Sequence, residues 1–123
     1  MLITRLTPDF VFEDDRGVLT QLVSDGYRQV NVVFSKQGTV RGGHYHKENV
    51  EAFYVISGEL TVEASLDGEK QSERFSAGDM FLLSPGTVHS MTYIKDTFLV
   101  VMYDKGVENP DGTKDIIPFV KED

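Results

Sequence analysis

GTVRGGHYHKENVEAFYVISG, residues 38–58, sets His44 and His46 one residue apart, breaks at the polar KENV, and resumes in the strand-forming run EAFYVIS. Two residues apart on a strand means one face, so the two imidazoles project in parallel, about 7 Å apart at the backbone. Straight alternation would send Glu51 to the opposite face. KENV interrupts the register, so Glu51 can open the next strand facing the same interior, with Phe53 and Val55 following it inward.

Outward from this stretch the pattern is repeated short strands. Apolar and β-branched runs stand at VLTQLV, YRQVNVVFS, LTVEASL, ERFS, MFLLS, HSMTYI and TFLVVMY, and DDRG, SDG, KQG, SGE, LDGEK, SAGD and SPG supply the turns. No segment keeps a helical period. The chain therefore reads as all-β, a sandwich or barrel, and as a jelly roll if two Greek keys follow one another. In LTVEASL, residues Leu60, Val62, Ala64 and Leu66 share the buried face, and LDGEK closes a hairpin. TFLVVMY is apolar almost throughout, which predicts cover on both faces, by the barrel interior and by a second subunit, hence a homodimer. The polar DKGVENPDGTKD and the apolar IIPFV behind it form a tail expected to wrap over the sheet.

A chain of 123 residues is the size of one domain, read as residues 1–123 with a core at about 28–104, an N-terminal hairpin at 10–24 and a tail at 105–123. The formal charge of −8, with twenty acids scattered among twelve bases, argues against nucleic acid. There is no apolar run of membrane-spanning length and no secretory pattern in MLITRLTPDF, so the expected location is the cytoplasm. With no cysteine, any metal must be held by nitrogen and oxygen.

His89, after the turn SPGTV, is the third histidine, and Met91 and Tyr93 share its face. Three imidazoles and one carboxylate (His44, His46, Glu51, His89) suit a divalent metal with room for water or substrate; Fe, Mn, Ni, Zn, Co and Cu all accept such a set. The spacing G-x5-H-x-H-x4-E-x6-G is met by Gly38, His44, His46, Glu51 and Gly58. This composition would give it by chance roughly once in 10⁴ to 10⁵ such sequences.

These residues resemble the first cupin motif, and Gly78, Pro85, Gly86 and His89 in GDMFLLSPGTVH resemble the second. Pro85 sits one place late, and Tyr93 stands where Asn is common. The resemblance implies a cupin β-barrel (double-stranded β-helix, or jelly roll) with His44, His46, Glu51 and His89 as metal ligands. FEDDRGVLTQL with VRGGHYHK is further similar to the sugar-nucleotide cupins, the dTDP-4-dehydrorhamnose 3,5-epimerases and the 3,4-ketoisomerases. That likeness implies Arg16 and Arg41 as phosphate-binding residues and His44 as general base, with His46 as a second acid or base. Those enzymes work without metal, and the ketoisomerases carry Gln where this chain has Glu51. The metal-competent cupin domains of capsular-polysaccharide nucleotide-sugar reductases share G-x-HYH, the Glu, PG-x-x-H and an ENPD-like tail such as Glu108–Asp111.

The expected function is thus a metal-binding cupin acting on a sugar or nucleotide-sugar, as a keto-sugar isomerase or epimerase of surface-polysaccharide metabolism. A metal would polarise the ketone while Tyr54, Tyr93 or Glu48 moves the proton. If the metal is bound, His44 and His46 are ligands and not free bases. Two alternatives stand beside it: a small Fe-dependent dioxygenase, and a ligand-binding cupin without catalysis.

Overall fold

The computed structural model describes residues 1–119. Among them it contains twelve strands and no helix: β1 (Ile3–Leu6), β2 (Phe10–Asp14), β3 (Gly17–Gln21), β4 (Gln29–Ser35), β5 (Val40–Tyr45), β6 (Glu51–Ser57), β7 (Glu59–Leu66), β8 (Glu69–Ser76), β9 (Met80–Leu83), β10 (Val88–Tyr93), β11 (Thr97–Tyr103) and β12 (Ile117–Pro118). One sheet runs β1-β9-β6-β11-β4, the other β12-β5-β10-β7-β8, and β2-β3 is a separate hairpin. Every pairing is antiparallel.

The eight strands β4 to β11 are one long hairpin rolled up. At its tip β7 pairs β8 through Asp67-Gly68, both at positive φ as a tight two-residue turn requires. Behind the tip β6 pairs β9, β5 pairs β10 and β4 pairs β11, and the extra pairings β11·β6 and β10·β7 complete the two sheets. This is the jelly-roll order expected from the run of strands and turns.

The core lies between the sheets. Leu60, Val62 and Ala64 of β7 face it as alternation predicts, as do Phe53 and Val55 of β6. At its centre Phe81 stacks on Phe53 and Phe75, with ring centroids 4.6 and 4.0 Å away. The outer face of β11 departs from the expectation of a second subunit as its only cover. Met102 and Val100 pack with Leu6, Leu22, Val23, Tyr27 and Tyr54 of the same chain, and Phe98 remains open. The segment after β3 supplies part of this cover, a long-range contact that local periodicity does not encode. The tail does lie along the sheet, β12 pairing with β5 at His44 and Tyr45. Val120, the end of the apolar tail segment, lies outside the described residues.

Candidate active site and metal centre

The site sits between the sheets at one end of the roll. His44 and His89 are direct cross-strand partners on β5 and β10, and His46 follows β5. Glu51 opens β6 in the opposite sheet, where it pairs with Tyr103 of β11. The ring centroids of His44 lie 5.1 Å from His46 and 4.7 Å from His89. Ligand atoms of the three histidines all lie within 4.8 Å of one another.

Two backbone carbonyls fix the tautomers. His46 Nδ1 is 2.6 Å from the Asp115 oxygen and His89 Nδ1 3.2 Å from the Thr87 oxygen. A carbonyl only accepts, so each Nδ1 carries the proton and each Nε2 turns a lone pair to the interior. Both Nε2 atoms face Glu51 Oε1, at 3.2 and 3.3 Å. His46 Nε2 and Glu51 Oε1 are buried, and with the proton on Nδ1 neither has a donor to pair with. Three electron-pair donors in van der Waals contact repel unless a positive charge lies among them. Ligands about 2.1 Å from one ion and 90–105° apart stand about 3.0–3.4 Å from each other. The residues therefore fit a divalent metal.

The protonation preferences agree. Burial, then the neighbouring His89 and His46, lowers the His44 pKa below the ordinary imidazole value, and burial lowers that of His89. Burial also acts to lower His46, but Glu51 and the Asp115 carbonyl outweigh it and the net shift is upward. The pocket thus favours a positive charge on His46, beside the Glu51 carboxylate.

A cavity of about 180 Å³ opens from this set, with Val33, Phe53, Met91, Leu99 and Val101 as its apolar wall. Arg41 and Tyr93 line it as well. Strict alternation would turn Arg41 and His44 to opposite faces. A bulge prevents this: His89 pairs His44 while Ser90 pairs Gly42, leaving Gly43 as the extra residue. Gly42, at φ +120, passes so close to β10 that a Cβ there would stand 2.5 Å from the His89 carbonyl oxygen. Arg41 is exposed; its Nε donates to Ser35 Oγ at 2.8 Å, and no carboxylate pairs with it among the described residues.

A family model described as the polysaccharide biosynthesis C-terminal domain matches residues 12–109, a span that holds all four candidate ligands. The chain belongs to this family. No curated protein sequence matches it. Among solved structures, a dTDP-4-dehydrorhamnose 3,5-epimerase from Sulfolobus tokodaii superposes with a TM-score of 0.72 at 22% identity, over 89% of this chain and 74% of that one. A mutant of the 3,4-ketoisomerase QdtA from Thermoanaerobacterium thermosaccharolyticum, in complex with TDP-4-keto-6-deoxyglucose, gives 0.76 at 14% identity, over 94% and 86%. CapF, with the inhibitor 3-isopropenyl-tropolone, gives 0.68 at 23% identity over 91% of this chain; the match spans 34%, about a third, of CapF. These likenesses give the fold, an RmlC-like cupin barrel.

In this member of the polysaccharide biosynthesis C-terminal domain family, the structure brings together His44, His46, Glu51, His89, Arg41 and Tyr93 but not the remaining sequence candidates. Tyr54 faces the outer cluster with Ala52 and Met80, because Glu51, Phe53 and Val55 take the inner face of β6. Glu48 is exposed in the β5–β6 connection. Arg16 is at the tip of the β2–β3 hairpin, its side chain 83% exposed and paired with Asp14 at 2.6 Å. Two residues at the site went unmarked in the sequence. Tyr103 lines the cavity, its ring 5.3 Å from that of His46, and its phenol pKa is pushed up by burial and by Glu51. Asp115 holds His46 from behind. The inward parity of β11 could have pointed to Tyr103; no local signal marks Asp115.

Proposed function

We propose that this chain is a metal-binding cupin that isomerises or epimerises a nucleotide-linked keto-sugar in surface-polysaccharide synthesis, as a cytoplasmic homodimer. The observation that carries the reading is the convergence of His46 Nε2, His89 Nε2 and Glu51 Oε1 beside an arginine that has no carboxylate partner among the described residues. His44, His46, Glu51 and His89 would hold the metal, which when bound supplies a Lewis acid for a ketone oxygen. Family membership supports the polysaccharide setting.

The size of the cavity apportions the ligand. At 180 Å³ it is smaller than the roughly 300–1,000 Å³ of ordinary ligand pockets, so it takes one sugar ring and leaves a nucleotide at the mouth. Arg41 is placed to hold phosphate there, since guanidinium matches phosphate bidentately. The apolar wall leaves hydroxyls unpaired and suits a deoxy carbon. Sugar isomerisation breaks the C–H bond beside the carbonyl, sends its electron pair to the carbonyl oxygen, and returns a proton at another carbon or face. Tyr93 and Tyr103 both keep their phenol protons, chiefly because they are buried, and are the wall's donors for the returned proton, while the proton taken from carbon leaves to solvent through the mouth of the cavity. A second, metal-free reading gives His44 the role of base, supported by its neutral, half-buried imidazole.

Metal analysis of untagged protein, then solvent-deuterium incorporation into a dTDP- or UDP-keto-sugar with and without chelator, tests both. Metal at stoichiometric level and chelator-sensitive exchange support the leading reading. Chelator-indifferent exchange in metal-free protein transfers the chemistry to His44. Substrate-dependent oxygen uptake without exchange overturns both in favour of an oxygenase. A tropolone, with ketone and hydroxyl on adjacent carbons, is a natural inhibitor to add.

A further inference from the structure

The connection from His46 to Glu51 must turn the chain from one sheet to the other while aiming two ligands at one point, and the residue that holds it is almost seventy positions away. Asp115 is 4% exposed, and four N–H groups converge on its carboxylate. Oδ1 accepts from the Lys47 amide at 2.7 Å; Oδ2 accepts from the Glu48 and Asn49 amides at 2.9 and 3.1 Å and from Asn49 Nδ2 at 2.8 Å. Successive amides around a carboxylate form an anion nest, so this buried charge is satisfied without a cation. The residue is itself anchored, its amide donating to the Val107 oxygen at 2.7 Å. Asn49 ties the same loop from the other side, donating to the Gly106 oxygen and accepting from the Lys105 amide. The Asp115 carbonyl then takes the His46 Nδ1 proton.

We propose that Asp115 is a positioning residue of the metal centre: its carboxylate sets the path of residues 47–49 between two ligands, and its carbonyl fixes the His46 tautomer. The affinity part of this inference rests on the metal reading above. Asp115→Asn keeps the shape but presents an NH₂ where the nest needs an acceptor. Outer partners of metal-binding histidines are worth about 10- to 100-fold in affinity.

The test has two arms. Titration with Co²⁺ alone, followed by its visible absorption, is expected to show a 10- to 100-fold weaker Kd for Asp115→Asn and an unchanged Kd for Asp111→Asn, an exposed residue whose side chain bonds Thr113 alone among the described residues. Imidazole ¹⁵N–¹H correlation spectra of the metal-free protein at alkaline pH are expected to show His46 as the Nδ1–H tautomer in wild type and as a mixture in Asp115→Asn. A folded Asp115→Asn with wild-type Kd and tautomer overturns the proposal. So does a wild-type His46 in the Nε2–H form, a result that needs no variant to fold. If wild type binds no Co²⁺, the metal reading alone falls, and the tautomer comparison still decides the role of Asp115.

Discussion

At position 51 a single carboxylate separates two chemistries open to the same three imidazoles. Glu51→Gln keeps the volume but removes the charge and turns an amide toward Nε2 lone pairs. It is expected to weaken Co²⁺ binding at least 100-fold in the titration; wild-type affinity would remove Glu51 from the ligand set. Tyr103→Phe addresses the proton. Loss of a positioned acid costs about 10²- to 10⁴-fold, so kcat is expected to fall by that factor with Co²⁺ affinity kept. Tyr54→Phe, on the outer face of β6, is expected to leave kcat within about twofold. Equal effects of the two tyrosine variants would mean that neither acts on the proton. That His44, His46, Glu51 and His89 meet was legible in the sequence because HYH and His89 answer to strand parity and Glu51 to its spacing after the KENV break. Tyr103 was not singled out, because its place at the site comes from pairing with Glu51 across β6 and β11.

At the scale of elements, what decides the site is the bulge in β5. No local signal at Gly42-Gly43 marks a bulge, and the pairing to β10 shows that the pair shifts the register between Arg41 and His44. The alternation of β6 and β7 and the Asp67-Gly68 turn were legible because their causes are local. The pairings of β1 with β9 and of β12 with β5, and the nest around Asp115, join segments distant in sequence and leave no periodic trace. The bulge yields a paired test. An alanine Cβ at Gly42 would meet the β10 backbone, which cannot swing aside, whereas at Gly43 nothing lies within 4 Å. Backbone strain and overpacking together put Gly42→Ala at about 2–5 kcal/mol and strain alone puts Gly43→Ala at about 1 kcal/mol. Thermal melts are expected to place Gly42→Ala on the order of 10 °C below wild type, with Gly43→Ala between them. Equal melting temperatures for the two variants would contradict the close approach of β5 and β10.

At the scale of the whole molecule, the surface holds more apolar side chain than a lone subunit of this charge would be expected to show water. Val30, Val32 and Phe34 of β4 are 59%, 65% and 38% exposed, with Phe98 and Ile56 beside them on the outer face of the same sheet. Phe10, Val11, Phe12, Val18 and Leu19 of the β2–β3 hairpin are each about half exposed. β4 is also an edge strand, with one side unpaired. An exposed apolar edge invites pairing, and a second copy covers it without creating a new open edge of the same kind. The dimer proposed above would therefore meet along β4 and its outer face. Sedimentation at micromolar concentration is expected to give twice the 13.8 kDa chain mass for wild type and the single mass for Val32→Asp, which buries a charge in that contact. Co²⁺ titration of the Val32→Asp monomer is expected to match wild type, because the three clustered histidines and the neighbouring Glu51 all come from one chain. A wild type that sediments as a monomer would overturn the dimer, and a Val32→Asp variant that stays dimeric would move its interface away from β4.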